Sequence, residues 1–293
     1  MLPNSPAQIE LWKAFRKEIS QSDAAHTRSM ILEQSRLARR EILAMIQSAG
    51  MGHVGGDFSV IDILTTLYFA ELNIDPSNAA KENRDWFILS KGHCAAAFYA
   101  TLAYSGYFDP HELSTFMQPM SMLNGHPSKG KISGIETSTG PLGHGLPIAV
   151  GIAIAAKIQK QEQRTFVVLG DGELQEGTNW EAAMTASQYK LSNLIVIIDR
   201  NRLQQGAGTE DTNGLDPLDK KWESFGWDVQ VVDGHEPLEL LDAIRGQKSD
   251  RPRCIIANTV KGKGVSFMEN RAEWHHKVPS VEQNGAALEE LLG

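Results

Sequence analysis

Residues 166–203 read FVVLGDGELQEGTNWEAAMTASQYKLSNLIVIIDRNRL, and the changes of texture within this stretch decide the fold. An apolar run, Phe166 to Leu169, meets Gly170-Asp171-Gly172; a helical pattern follows, and a second apolar run, Leu194 to Ile198, leads to Asn201. That order predicts strand, turn, helix and strand, with polar groups at the carboxyl ends of both strands. Open parallel sheets bind ligands at those ends. Gly170 and Gly172 have no Cβ, so backbone can approach a ligand closely there. Asp171 offers a hard carboxylate oxygen and Asn201 a neutral amide oxygen. Together they make half of a magnesium site whose other positions are filled by phosphate oxygens, water and a backbone carbonyl. On this stretch alone a plainer reading stands beside it, in which both side chains merely cap turns.

Composition narrows the setting. The chain has 293 residues, enough for one large α/β domain or two small ones. At 41% hydrophobic and 22% charged it has the make-up of a globular protein. A net charge of -8 argues against nucleic acid as a partner. No apolar run approaches the ~18 residues of a membrane span, and no basic-then-apolar segment opens the chain as a signal peptide would. Two cysteines, Cys94 and Cys254, stand far apart in no ligand spacing, so a reducing, cytoplasmic location is expected. Cys94 adjoins His93 and invites a nucleophile reading; a small buried residue near a helix start is the weightier one, because nothing adjacent would lower its pKa.

Outward from the opening stretch, residues 1–25 read as an amphipathic helical extension with Ile9, Leu11, Trp12, Phe15 and Ile19. Positions 31, 35, 38, 42, 45 and 49 keep the helical period, and Gly50 ends that helix. Arg36, Arg39 and Arg40 along it predict a solvated face. The segment from Gly52 to Phe58 reads as a glycine-rich loop carrying His53, with Ser59 as cap of the next helix. Asp85 to Leu89 reads as a strand that gives way to Ser90-Lys91-Gly92-His93 and an alanine-rich helix. His126 sits in a turn. Residues 128–145 have no apolar periodicity and form a long loop, usually a functional feature. Further strands are expected at 227–232 and 254–259, with helices at 217–225 and 237–245. Strands alternating with helices predict an α/β fold, a mostly parallel sheet with helices on both faces, in a single domain spanning 1–293.

Eight blocks now stand in order: SAGMGHVGGDFS, DWFILSKGH, NGHP, IETSTGPLGHGL, GDGELQEG, DRNRLQ, VKGKG and WHH. In these the chain resembles the N-terminal, thiamine diphosphate-binding half of transketolase, from about residue 30 to about residue 277. The resemblance implies the thiamine diphosphate-binding fold and transfer of a two-carbon ketol unit from a ketose, phosphorylated or otherwise anionic, to an aldose through a thiamine diphosphate carbanion. It implies that Asp171, Asn201 and the backbone carbonyl of Leu203 hold magnesium, with calcium or manganese as substitutes. Gly170, Gly172 and Glu173 then lie along the diphosphate. Lys261, His93 and His275 contact cofactor or reacting sugar, and Gly140, Pro141 and Leu142 belong to the loop that meets the aminopyrimidine. His53, His93, His126 and His275 form the catalytic set, whose imidazoles, near their ordinary pKa of about 6.5, suit proton transfer at neutral pH. Glu176 matches a glutamate of a buried acidic network between two active sites. His276, beside His275, leaves that cofactor contact open between the two.

Two departures mark the chain off from single-chain transketolases: VGGDF after His53, where a proline-containing version is usual, and His144 in place of glutamine. Both resemble the separately encoded, two-subunit enzymes. The relatives' pyrimidine-binding domain and third domain have no counterpart here. The expectation is therefore a C-terminal transketolase partner chain, with an active site at the interface and an α2β2 assembly, and with a sugar or sugar phosphate as substrate. The alternatives are the alpha subunit of a 2-oxoacid dehydrogenase, which shares the GDG-to-Asn element but not the histidine blocks, a deoxyxylulose-phosphate-synthase-like enzyme, normally one long chain, and a non-catalytic subunit that keeps the fold.

Overall fold

The two apolar runs of the opening stretch lie side by side in the middle of a sheet. The computed structural model describes residues 1–247 and 249–292. In chain order its strands are β1 (Trp86–Leu89), β2 (Thr165–Gly170), β3 (Leu194–Arg200), the short hairpin β4 (Leu203–Gln204) and β5 (Ala207–Gly208), β6 (Asp228–Asp233) and β7 (Arg253–Asn258). Five of them form one sheet in the order β1-β2-β3-β7-β6, parallel throughout. Every residue of β2 and β3 is buried. This is why those strands are apolar without alternation: a parallel sheet is covered on both faces.

The helices are α1 (Pro6–Gln21), α2 (Ala24–Ala49), α3 (Val54–Thr66), α4 (Ala95–Tyr104), α5 (Gly145–Ile158), α6 (Gly177–Gln188), the single turn α7 (Thr209–Thr212), α8 (Leu218–Ser224), α9 (Pro237–Arg245) and α10 (Val281–Glu290). One face of the sheet, with Phe166, Val168, Ile195 and Ile197, packs in a core shared with α2, α3, α4 and α9. The other, with Val167, Leu169, Val196 and Ile198, packs against α5, α6 and α8. Gly50 closes α2 in the left-handed conformation, at φ 67°.

Two expectations are corrected. The glycine-rich segment is not a loop: α3 begins at Val54, with His53 at its N-cap. Gly55 and Gly56 serve close packing rather than a turn. A Cβ on Gly55 would lie 2.7 Å from the Trp274 carbonyl oxygen, and one on Gly56 2.8 Å from Cys94 Sγ. Ser59 is therefore inside the helix, where its hydroxyl donates to Asp199 Oδ2 at 2.7 Å. Arg39 is not on a solvated face either. It is buried, and its guanidinium donates to both carboxylate oxygens of Asp62, at 3.1 and 2.6 Å, and to the Phe58 carbonyl at 3.0 Å.

Asp62 also accepts from His235 Nδ1 at 2.6 Å, while His235 Nε2 accepts the backbone N–H of Val260 at 2.7 Å. That N–H fixes the tautomer with the proton on Nδ1. The chain of contacts ties α2 and α3 to the segment after β7 that carries Lys261. Burial alone would push the Asp62 carboxyl up, but the Arg39 charge and the bonds from His235 and Arg39 outweigh it and hold it well below the carboxylate range. Asp62→Ala leaves a buried guanidinium uncompensated, which costs about 3–5 kcal/mol and should lower the thermal midpoint at pH 7 by roughly 6–15 °C. Because the carboxyl is depressed, its stabilisation is complete above the unfolded value of about 4 and lost as pH falls below it. Midpoints of wild type and variant should therefore converge in acid; equal midpoints at pH 7 would contradict the role.

Candidate active site

The chain steps from β1 to β2 to β3, crosses to the far edge for β6, and returns inward to β7. The strand order reverses between β3 and β7, and crevices at such reversals are where parallel sheets hold ligands. A cavity of about 400 Å³ opens there, at the carboxyl ends of β2, β3 and β7. Gly170, Asp171, Gly172 and Glu173 line it from the end of β2, Asn201 and Leu203 from the end of β3, and Lys261 from beyond β7. His53, His93, His126 and His275 complete the wall with Gly140 and Leu142. Of the expected residues, Pro141 is outside the lining, with its ring exposed.

The floor of the cavity is a charged network that the sequence reading passed over. Lys91, after β1, and Asp199, on β3, form an ion pair with essentially no exposure. Asp199 also accepts from the hydroxyls of Ser59 and Thr259 and, at 3.3 Å, from Asn201 Nδ2. Burial would raise its carboxyl, but the Lys91 ammonium and the two hydroxyls outweigh burial and hold it below the usual range. Because Asn201 Nδ2 is committed to Asp199, Oδ1 turns outward, where it accepts the Leu203 N–H at 3.1 Å. A signal did exist: Asp199 is the one charge in the run LIVIID.

Glu173 holds the long loop. Its Oε1 accepts from the Ser90 hydroxyl and from the Gly143 N–H at 2.9 Å, and its Oε2 from the Gly170 N–H at 3.0 Å. Ser90 in turn accepts the Gly145 N–H at 3.1 Å. Gly143 has φ 81°, and a Cβ there would come within 2.7 Å of Glu176 Cβ and Thr178 Oγ1. Glu173 thus spends both oxygens on backbone and hydroxyl donors, pinning the 139–145 loop to the end of β2. Glu176 lies on the cavity wall but is exposed in this chain, not buried in an acidic network.

The histidines gather as expected, but their protonation does not follow the ordinary value. Burial lowers His53 to about 4, with His276, His126, Lys261 and Lys91 adding to it. Burial, then Lys261, lowers His275 to about 3. His93 is driven well below its ordinary value by burial and by Lys91, and His126 is lowered by burial. All are neutral at pH 7 rather than half protonated, because burial disfavours the charged form of each and, for His53, His93 and His275, so do the nearby lysines. Lys261, lowered by burial and by the Lys91 charge to about 8, donates to His275 Nδ1 at 3.0 Å. Of the adjacent pair it is His275 that lines the cavity; the His276 ring lies against His53, with centroids 4.6 Å apart. Cys94 is fully buried and its thiol is pushed up to about 12 by that burial, so it is inert. It cannot cap α4; Asp57 does so from α3, accepting the Ala97 N–H at 2.9 Å.

The donor set fits a magnesium diphosphate. Among the described residues no three His, Cys, Asp or Glu side chains come together as a metal site. A cation at Asp171 and Asn201 therefore takes the rest of its oxygen ligands from what it binds with, the habit of magnesium with phosphates. A Cβ on Gly172 would lie 3.1 Å from Gln204 Cβ and Oε1, so a side chain there would crowd Gln204, whose Oε1 is buried without a partner. Lys261 adds a positive charge on the same wall.

Comparison with known proteins agrees. Residues 33–293 match the family described as transketolase, thiamine diphosphate binding domain. The chain is 48% identical over 261 residues to one subunit of the apulose-4-phosphate transketolase of Actinobacillus succinogenes, covering 88% of this chain and 95% of that protein. It is 40% identical to one subunit of a 6-deoxy-6-sulfo-D-fructose transketolase from Clostridium sp., covering 88% of this chain and 94% of that one. The crystal structure of transketolase from Campylobacter jejuni superimposes with a TM-score of 0.83 at 33% identity, over 89% of this chain and 42% of that one. The chain belongs to the transketolase family and is its thiamine diphosphate binding part.

Proposed function

We propose that this chain is the diphosphate-binding subunit of a two-chain transketolase, which moves a two-carbon ketol unit from an anionic ketose to an aldose. The observation that carries the reading is the convergence, on one cavity wall, of Asp171, Asn201 and Lys261 from three strand ends with four neutral histidines. The histidine set separates this from a 2-oxoacid dehydrogenase subunit. Its completeness, with the metal-binding pair, separates it from a fold kept without activity.

Thiamine diphosphate, when bound, supplies a stabilised carbanion able to break and remake the bond beside a ketose carbonyl. The residues of this chain bind, orient and move protons. Asp171, Asn201 Oδ1 and the Leu203 carbonyl would hold the magnesium that accompanies the diphosphate. Gly170 and Gly172 let that group lie against backbone, and Lys261 balances its charge. The 139–145 loop, fixed by Glu173 and Ser90, presents Gly140 and Leu142 to the aminopyrimidine. His93 and His275, on the same wall, would contact the cofactor or the reacting sugar. His53 and His126 would take protons from sugar hydroxyls and return them. Their proton affinity rises back toward the operating pH, where a general base works best, once a bound diphosphate brings negative charge near the cluster. The substrate is an anionic sugar of the kind named in the relatives, with its distal charge read by the partner.

The whole chain acts as one domain, and the assembly is α2β2. One surface supports the pairing of two copies. Apart from Lys157 in its last turn, helix α5 is apolar around its circumference, yet Ile148, Gly151, Ala155 and Ile158 form one exposed stripe on it. The exposed Met184 of α6 and Leu142 of the site loop add to the apolar surface. A second copy packed there would cover the stripe and enclose Glu176. The pyrimidine-binding subunit then closes the cavity from the open side.

Calorimetry tests the metal assignment. Asp171→Ala should remove the magnesium dependence of thiamine diphosphate binding and weaken it by at least ~100-fold, the loss of a charged, hydrogen-bonded ligand; unchanged affinity would refute it. The Lys261 value of about 8 gives a second test. A bound diphosphate favours the charged ammonium and raises that value, so binding takes up protons. Cofactor affinity in the assembled complex should fall as pH rises above about 8, and Lys261→Met should flatten that decline. A pH-independent affinity between 7 and 9.5 would remove Lys261 from the diphosphate.

A further inference from the structure

His53 accepts the Asp57 N–H on its carbonyl at 3.0 Å, but its ring has only ring neighbours among the aromatic and hydrogen-bond contacts of the described residues. It stands at the N-cap of α3 without a side-chain cap bond, and among the described residues its imidazole makes no hydrogen bond in the chain. Three imidazoles enclose it instead, with centroids at 5.1 Å (His93), 5.6 Å (His275) and 4.6 Å (His276). His93 and His275 belong to the cavity wall and stack on each other at 5.3 Å. His276 is the nearest of the three, and it differs from both. It is exposed, lies outside the cavity lining, and has no ring hydrogen bond among the described residues. The next residue does not compete for it, since Lys277 Nζ lies 4.4 Å over the Trp274 ring and 3.7 Å from Glu273.

We propose that His276 is a positioning residue for His53: it covers the solvent side of that ring, fixes its direction into the cavity and keeps water off it. The inference rests on the reading of the cavity as a transketolase site with His53 on the sugar side. It assigns a task to the second histidine of the Trp274-His275-His276 run, which neither the metal nor the cofactor uses. The groups that set the His53 charge are then identified on every side: Lys91 after β1, Lys261 after β7, His126 from the loop before α5, and His276 itself. All four oppose protonation, and burial, the largest cause, acts the same way. Removing His276 exposes the ring and deletes one of the opposing charges. Both changes have the same sign, so the proton affinity of His53 must rise.

The experiment compares wild type, His276→Ala and His276→Phe. In the assembled holoenzyme, the acid limb of kcat/KM should move upward in His276→Ala relative to wild type, toward the ordinary imidazole value of about 6.5. The kcat at pH 7.5 should fall roughly 10-fold, as a loosened reacting group implies, with thiamine diphosphate affinity unchanged. His276→Phe, which restores the ring but not its charge, should recover most of both losses. A His276→Ala enzyme with wild-type kcat and acid limb overturns the proposal, as does an equal loss in His276→Phe. A readout free of activity keeps the two levels apart: NMR titration of the full chain with ring-labelled histidine. A rise in the His53 value in His276→Ala supports the contact even if no complex transfers a ketol unit, a result that would sink the functional reading alone. An unchanged His53 titration overturns the positioning role whatever the activity.

Discussion

A lysine and an aspartate with no access to water stay charged only if each has the other. Lys91 and Asp199 are in that position, at 2% and 0% side-chain exposure, at the centre of the carboxyl edge of the sheet. Removing either charge would strand its partner at a cost of several kcal/mol. The pair draws in Ser59 of α3, Thr259 after β7 and Asn201 after β3, so that three strand ends and a helix are set by one carboxylate. In the strand register Asp199 lies beside Gly170 on one side and Ala257 on the other, two residues too small to obstruct it. The direction of the Asn201 amide, and with it the oxygen offered to a cation, follows from this network.

The same burial explains the chemistry of the wall above. Half-buried to buried imidazoles beside two lysines disfavour a further positive charge, so the histidines rest neutral. A magnesium diphosphate brings the opposite charge into this space. Its arrival relieves the Lys261 ammonium and moves the cluster toward protonation, so binding and proton economy are one property of the site. Glu173 and Ser90 add the geometric half by fixing the glycine loop on the cavity wall.

Much of this was legible in the sequence, for identifiable reasons. β2 and β3 were readable because strands buried on both faces are apolar at every position. Asp171, Asn201, Lys261 and His93 were readable because polar residues after strands fall at the carboxyl edge. His53, His126 and His275 follow no strand, and their roles were legible only through the family resemblance of the blocks that carry them. The start of α3 was misplaced because Gly55 and Gly56 suggest a turn, whereas they are small to admit the Trp274 carbonyl and Cys94, contacts from distant sequence. Arg39 was misassigned because its partner, Asp62, lies on another helix. The lowered imidazoles were out of reach, since a pKa depends on burial that no local pattern states. Asp199 was within reach, as a charge in an apolar strand, and was overlooked.

What this chain builds is one wall of a site. The cavity is open on one side, the apolar stripe of α5 is uncovered, and Glu176 faces solvent. The most direct measurement is ketol transfer from a ketose phosphate to an aldose phosphate, with thiamine diphosphate and magnesium present. It is made on this chain by itself, on a purified C-terminal transketolase chain by itself, and on the two mixed. Each chain alone should show negligible turnover, and the mixture robust transfer that saturates at equal amounts. Robust transfer by this chain in isolation would contradict the two-chain reading.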